Sequence, residues 1–433
     1  MLIQFSVGNV LSFNEIVQLN MTGATPVKEF ENINTFIDPT NKFKLLKSAA
    51  IYGANSSGKS NLIKAISIMQ NFVLNSFRDA LIEKDNRTLN ITPFLLNDRG
   101  IEKPSFFEII FIYKEKRYRY GFEVHNDIIH SEWLFFVNTN KEISLFTRKK
   151  KKIEINKRSF KEGIGLEPKT KDNVLFLTVA AQFDGQRSNK VIDWFKKIKI
   201  LSIPNDPSYQ LYSVNLYKTN EQFRNFSNSV LNSLDIVNLS TEEGVPVPID
   251  INKMPPDKNL RSIFTAIGKI QNAQGKIEKV LSWHKKYDSE KNMVEKIPFD
   301  FNLQESEGTK KIFNFLGPIY DCLVNGFILI VDELDLRLHP LLTKLIVSFF
   351  HVHNTKNAQL IFASHDTNLL KKDIFRRDQI WFTEKNDVAE TDLFSLIEYR
   401  ESRVRNDASF DKDYLKGRYG AIPFIKDILT EFE

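Results

Sequence analysis

The chain has 433 residues, 42% of them hydrophobic and 26% charged, with a formal net charge of +6. This length predicts one large α/β domain with a substantial insertion, or two domains, and the mild positive charge permits nucleic-acid contact without demanding it. A single cysteine, Cys322, excludes an internal disulfide framework, and no signal-like start or membrane-length apolar stretch is visible, so a cytoplasmic protein with no membrane partner is expected.

The first residues, "LIQFSVGNVLSF" and "EIVQLN", alternate apolar and polar side chains and predict two short strands turning near Gly8-Asn9. "KLLKSAAIY" runs into "YGANSSGKSNL", Tyr52 to Leu62, and helical spacing predicts a helix from Asn61 to Phe77. Ser105 to Val124 reads as two strands around Lys114-Glu115, and "IIHSEWLFFV" and "EISLFTRK" extend them into an antiparallel meander. The basic run Arg148 to Arg158 has two readings, a lysine-protected hairpin edge or a phosphate-contacting patch. From "NKVIDWFKKIKIL" to about Lys285 the pattern is mixed, with helical pieces such as "FRNFSNSVLNSL" and loops such as "EEGVPVPIDINKMPP". From Phe299 it becomes α/β again. "SEGTKKIFNFLGPIYDCLV" predicts a helix, "GFILIVDE" a buried strand, "PLLTKLIVSFFHV" a helix and "AQLIFASH" a second buried strand. "DQIWFTEK" and "AETDLFSLIEY" predict a late strand pair. The expected division is therefore an N-terminal lobe at 1–185, an inserted mixed region at 186–298 and a C-terminal lobe at 299–433.

Gly53-Ala54-Asn55-Ser56-Ser57-Gly58-Lys59-Ser60 fits G-x-x-x-x-G-K-[ST] in full. Glycines let such a loop turn successive N–H groups around an anion, and the helix that follows adds its positive end. Lys59 is expected to reach the β- and γ-phosphates and Ser60 to bind Mg²⁺. Asn55, Ser56, Ser57 and Asn61 complete the expected phosphate cradle.

"FILIVDELDLRLHP" ends an apolar run in Asp332-Glu333. A buried strand delivering two carboxylates suits Mg²⁺ chemistry, with Asp332 serving the metal and Glu333 orienting or deprotonating an attacking water. That second carboxylate points to a hydrolase carrying its own base. In "LIFASHD", His365 follows the second strand and is read as a γ-phosphate contact. Ser306, Gly308 and Thr309 in "LQESEGTKKIF" would offer hydroxyls and N–H groups at a helix start, a second anion-binding end. One subunit gains little from two such ends, whereas a head-to-tail dimer would use one from each.

This order of motifs resembles the ABC-type ATPases, in the non-transporter branch that includes SMC, Rad50, RecF and OLD-type proteins. The nearer resemblance is to the bacterial AAA15-type (AAA_15/AAA_21) ATPases of abortive-infection and anti-phage systems, which include the AbiL and PARIS ATPases. It is carried by "FSVGNVLSFNE", "YGANSSGKSNLIKAI", "YRYGFEV", "ESEGTKKIF", "VDELDLRLHP" and "GRYGAIPFI", spread over nearly the whole chain. The resemblance implies a P-loop NTPase fold of ABC-ATPase type with an N-terminal antiparallel β subdomain and an inserted mixed or helical subdomain. It implies ATP and Mg²⁺ at Lys59, Ser60 and Asp332, catalysis by Glu333, and a γ-phosphate switch at His365. Ser306 and Gly308 would act on the neighbouring subunit's ATP, and Asp335 falls where such proteins carry the D-loop. "SEGT" departs from the transporter pattern "LSGGQ", which puts its contacts in doubt. Gln70 lies inside the predicted helix and does not suit the Q-loop glutamine; the neighbourhood of Phe94 is the weaker alternative.

The stretch after His365 is too short for the TOPRIM nuclease that OLD-type proteins append, and Asp411 to Asp413 reads as a surface acidic pair. The expected function is thus an ATP-hydrolysing sensor and scaffold in bacterial anti-phage defence, acting as a homodimer or higher homo-oligomer. It would control a separately encoded effector such as a TOPRIM-like nuclease. The alternative is a RecF/SMC-like DNA-binding ATPase of DNA repair or maintenance. No zinc-ligand spacing is visible, and no Ser-His-Asp nucleophile arrangement stands out, since His365 and Asp366 are better explained by ATP.

Overall fold

The structure is a computed structural model and describes residues 1–39, 43–79, 91–98, 100–137, 141–201, 207–242, 279–399 and 409–422. The loop read from "EEGVPVPIDINKMPP" lies outside the described residues beyond its first glutamate, as do the last three residues of "GRYGAIPFI". Among the described residues no helix is long and apolar enough to cross a membrane. The chain divides into two compact units, one of Met1–Ser202, Cys322–Leu336 and Pro340–Glu433, the other of Ile203–Asp321 with Arg337–His339.

In the first unit, β1 (Leu2–Gly8) and β2 (Val17–Asn20) pair antiparallel. A small ribbon of β3 (Thr35–Ile37) and β4 (Lys44–Leu46) precedes β5 (Ser48–Tyr52) and α1 (Lys59–Asp79). β6 (Ser105–Tyr113), β7 (Lys116–His125), β8 (Ile128–Val137), β9 (Glu142–Lys149) and β10 (Lys152–Ile155) continue as a meander. The resulting seven-stranded antiparallel sheet has the order β10-β9-β8-β7-β6-β1-β2. Lys114 and Glu115 both take positive φ, +47° and +61°, which matches a two-residue hairpin turn to the strand twist.

After α2 (Phe176–Gln182) and α3 (Gln186–Phe195) comes β11 (Ile198–Leu201). With β15 (Ile328–Val331), β16 (Gln359–Ala363), β17 (Ile380–Lys385) and β18 (Thr391–Ser395) it forms a second sheet, β11-β15-β16-β5-β17-β18. The first five strands are parallel and β18 closes antiparallel on β17. β5, β15 and β16 are buried at every residue, as strands covered on both faces must be. One apolar core joins both sheets and α1, and it is rich in phenylalanine: Phe5, Phe107, Phe111 and Phe122 are fully buried in it. α8 (Pro340–His351) connects β15 to β16, and α9 (Phe410–Leu415) is the last helix among the described residues.

The basic run resolves at Arg148. Its side chain is 2% exposed, and it donates to the carbonyls of Lys150, Val174, Lys171 and Asp172. Opposite it across the β8–β9 ladder, Glu132 accepts from the Tyr120 hydroxyl and from the N–H groups of Phe176 and Leu177 at the start of α2. Arg148 thus serves folding. Lys149 and Lys152 pair across the hairpin that ends in the sheet-edge strand β10, the arrangement in which lysines discourage further pairing.

The second unit holds α4 (Pro207–Thr219), α5 (Glu221–Asn232) and a three-stranded antiparallel sheet of β12 (Ile236–Glu242), β13 (Lys279–Tyr287) and β14 (Met293–Asp300). α6 (Phe301–Gln304) follows, then α7 (Glu307–Asn325), which contains Pro318. Tyr217 and Phe301 pack edge-on against Phe313 at 6.3 and 5.4 Å. The α/β architecture with an antiparallel N-terminal sheet and an inserted mixed subdomain is the one read from the sequence.

Candidate nucleotide-binding site

β5 ends at Tyr52, and the chain turns at Gly53 into the loop that starts α1. The loop departs from ordinary backbone in three places, Gly53 at φ +155°, Ser56 at +64° and Gly58 at +116°. A Cβ on Gly53 would stand 2.4 Å from the Thr383 carbonyl oxygen, and one on Gly58 2.5 Å from the Thr391 side chain. Both glycines are therefore required by packing as well as by φ. Asn55 and Ser56 are exposed at the crown, while Ser57, Gly58 and Lys59 are buried. The first N–H groups of α1 have no intrahelical acceptor and add to the positive end of the helix.

Lys59 turns back over this loop. Its ammonium donates to the carbonyls of Gly53 at 2.7 Å and Ala54 at 2.9 Å. Burial pulls its pKa down to about 8, against the opposing pull of Asp332, Glu333 and Asp335. The Ser60 hydroxyl donates to Asp332 Oδ1 at 3.1 Å.

The strand order explains this convergence. β16 lies between β5 and β15, so the carboxyl ends of three parallel strands deliver the loop, Ser364-His365 and Asp332-Glu333 to one edge. Crevices at such strand ends are where open α/β sheets bind ligands. Glu333 sits just past β15 at φ +53°, a conformation that costs a non-glycine residue about 1 kcal/mol. The backbone N–H of His365 donates to both carboxylate oxygens of Asp335 at 3.3 Å. Partial desolvation and the nearby Lys59 hold the His365 pKa below the usual imidazole value, which favours the neutral ring.

Among the described residues no group of three or more His, Cys, Asp or Glu side chains could hold a metal ion by itself. The donor set fits Mg²⁺ in the manner of phosphate-bound Mg²⁺, with one hydroxyl and one carboxylate from the protein and the rest from phosphate and water.

Ser306 and Gly308 belong to the second unit. Ser306 Oγ accepts the Thr309 N–H at 3.1 Å and so caps its own helix, α7. A Cβ on Gly308 would lie 2.8 Å from the Arg337 carbonyl oxygen. Arg337, at φ +60°, also bonds Glu307 Oε2 at 2.9 Å. Just upstream, Glu305 Oε1 accepts from Ser282 and lies 2.6 Å from His284 Nε2.

The family profile described as "AAA domain, putative AbiEii toxin, Type IV TA system" matches residues 48–199 and 199–371, most of the chain. The chain belongs to this AAA-domain family. No curated protein matches the sequence. Among solved structures, the SMC head domain from Thermotoga maritima aligns at 11% identity and a TM-score of 0.40, covering 91% of this chain and 98% of that one. An SMC head bound to the C-winged helix domain of ScpA aligns at 12% identity and 0.42, covering 91% and 97%.

Three hydroxyl residues of this AAA-domain chain escape sequence reasoning. Thr383 Oγ1 lies 2.6 Å from Ser57 Oγ. Thr391 Oγ1 bonds the Ser57 carbonyl at 2.9 Å and Ser12 Oγ at 2.8 Å, and Asn61 Nδ2 donates to the same Ser12 Oγ at 2.8 Å. Ser57 and Asn61, read from sequence as part of the phosphate cradle, therefore brace the loop: the Ser57 hydroxyl against β17, the Ser57 carbonyl against β18 and the Asn61 side chain against the β1–β2 turn. Gln70 is also accounted for: its amide donates to the carbonyls of Phe195 and Ile198.

Proposed function

We propose that this chain binds ATP with Mg²⁺ and hydrolyses it. The observation that carries the reading is the meeting of Lys59, Ser60, Asp332, Glu333 and His365 at the carboxyl ends of three neighbouring parallel strands. The loop N–H groups and Lys59 would hold the β- and γ-phosphates, with Ser60 and Asp332 on the metal. When bound, Mg²⁺ neutralises charge on the phosphate oxygens. Glu333 would take the proton of the attacking water on its carboxylate. His365, neutral and braced through its backbone by Asp335, would contact the terminal phosphate.

The proposal extends to an ABC-type arrangement. Ser306 and Gly308 of one copy would complete the site of a second, with Asp335 at the interface, so nucleotide would favour a homodimer. The family's printed association with a type IV toxin–antitoxin system supports a defence role, in which ATP-dependent closure controls a separately encoded effector, a TOPRIM-like nuclease in the fullest form of the proposal. A tagged Glu333→Gln chain, expressed with its neighbouring gene and purified with and without ATP, tests this. The reading expects an effector protein whose retention changes with ATP. Recovery of DNA with no protein partner contradicts it and favours a RecF/SMC-like role.

A further inference from the structure

We infer that Tyr414, on the C-terminal segment 409–422, is a positioning residue for the phosphate-binding loop. This rests on the nucleotide reading above and extends it to a part of the chain far from every motif that defines the site.

The Tyr414 hydroxyl donates to the Ala421 carbonyl at 3.1 Å, and its oxygen faces the backbone N–H of Gly53, the first residue of the loop. Its ring is fixed from two sides, stacked on Phe382 at 5.5 Å and edge-on to Tyr52 at 6.1 Å. Tyr52 immediately precedes Gly53, and Phe382 immediately precedes Thr383, whose hydroxyl meets Ser57. The ring therefore braces the residues from which both ends of the loop are held.

The segment itself is anchored. Phe410, Tyr419 and Ala421 are 3%, 2% and 1% exposed. The Ala421 N–H donates to Glu384 Oε1 at 2.9 Å, on the strand that carries Thr383. α9 also packs on the short helical turn Thr367–Leu369 that follows His365, and Lys372 lies 5.5 Å over the Phe410 ring. Tyr52 reaches the same turn, its hydroxyl donating to the Asp366 carbonyl at 3.3 Å. One short C-terminal element thus touches the start of the phosphate loop and the turn after His365. It accounts for "GRYGAI", a stretch of the sequence to which the ATP site gives no role.

The test compares Tyr414→Phe with Tyr419→Phe in the full chain. The first keeps the ring and removes the hydroxyl that faces the Gly53 N–H. The second removes a hydroxyl of the same segment that bonds Asp413 at 3.4 Å. Amide hydrogen exchange of a peptide covering residues 52–60, measured without nucleotide, reads the loop directly. Tyr414→Phe is expected to speed exchange at Gly53 about fivefold and to raise the ATP Kd or KM by a similar factor at unchanged saturating kcat. Tyr419→Phe is expected to leave both unchanged. Unaltered loop exchange in Tyr414→Phe overturns the inference, as does equal acceleration in both variants, which signifies general loosening of the segment. If the unmutated chain fails to bind ATP, the nucleotide reading falls, while loop exchange still decides the role of Tyr414.

Discussion

Ser60 Oγ and Asp332 Oδ1 lie 3.1 Å apart although 272 positions separate them in sequence. A hydroxyl from the start of a helix and a carboxylate from the end of a buried strand make a two-point metal holder. Asp332→Ala should weaken ATP binding about tenfold in the presence of Mg²⁺ and leave binding in EDTA nearly unchanged. Titration of a fluorescent ATP analogue under both conditions checks this.

Lys59 gives a pH prediction. Its pKa in the nucleotide-free chain is about 8, below the ordinary lysine value, because burial disfavours its charge. Phosphate favours the charged form and raises that pKa. ATP affinity should therefore be constant below pH 8 and fall as pH rises above it. Lys59→Ala should bind ATP at least about tenfold more weakly at pH 7 and lose that pH dependence. Kd measured from pH 7 to 9.5 reads both effects.

His351 predicts acid sensitivity away from the site. Its Nε2 lies 2.8 Å from Ser48 Oγ, next to Lys47, and burial drives its pKa down to about 3. Between pH 6.5 and 3 the unfolded chain holds a proton on this ring that the folded chain does not. Stability contributed by the neutral ring is complete above pH 6.5 and is lost as pH falls, by up to about 1.4 kcal/mol per unit. His351→Gln should flatten the dependence of Tm on pH between 4 and 6.5.

Arg148 is expected to matter for folding alone. Arg148→Ala leaves Glu132 buried without its cationic neighbour, 3.8 Å away, and should cost about 3–5 kcal/mol. Thermal or denaturant unfolding measures this. An unchanged Tm would contradict the structural reading of the residue.

The parts of the site that were legible in sequence are those with a continuous local pattern. "SAAIY", "ILIV" and "QLIFA" are apolar runs fully buried in β5, β15 and β16, and each ends in the residues whose chemistry gives it away. The helix expected from Asn61 to Phe77 is α1, one turn longer in total. Less legible was β11. Leu201 pairs with Val331 in parallel, so the pairing bridges a long stretch of chain and leaves no local mark. The three-stranded sheet of the second unit was hidden because β14 is exposed along most of its length, which removes the alternating signature. Thr383, Thr391 and Tyr414 were invisible for a similar reason. Ser57 meets Thr383 and Thr391 across 326 and 334 positions, and a lone threonine in a strand carries no signal of its partner. The sequence pattern suggests an anion contact at Gly308, and the nearby Arg337 carbonyl supplies a packing reason for glycine there.

The central claim is ATP hydrolysis with Glu333 as the base. Its most direct test is phosphate release from ATP by the unmutated chain and by Glu333→Gln, with ATP Kd measured in parallel. The account predicts that Glu333→Gln keeps its Kd within about threefold while turnover falls by about 10² or more. Turnover by Glu333→Gln at the unmutated rate would contradict it.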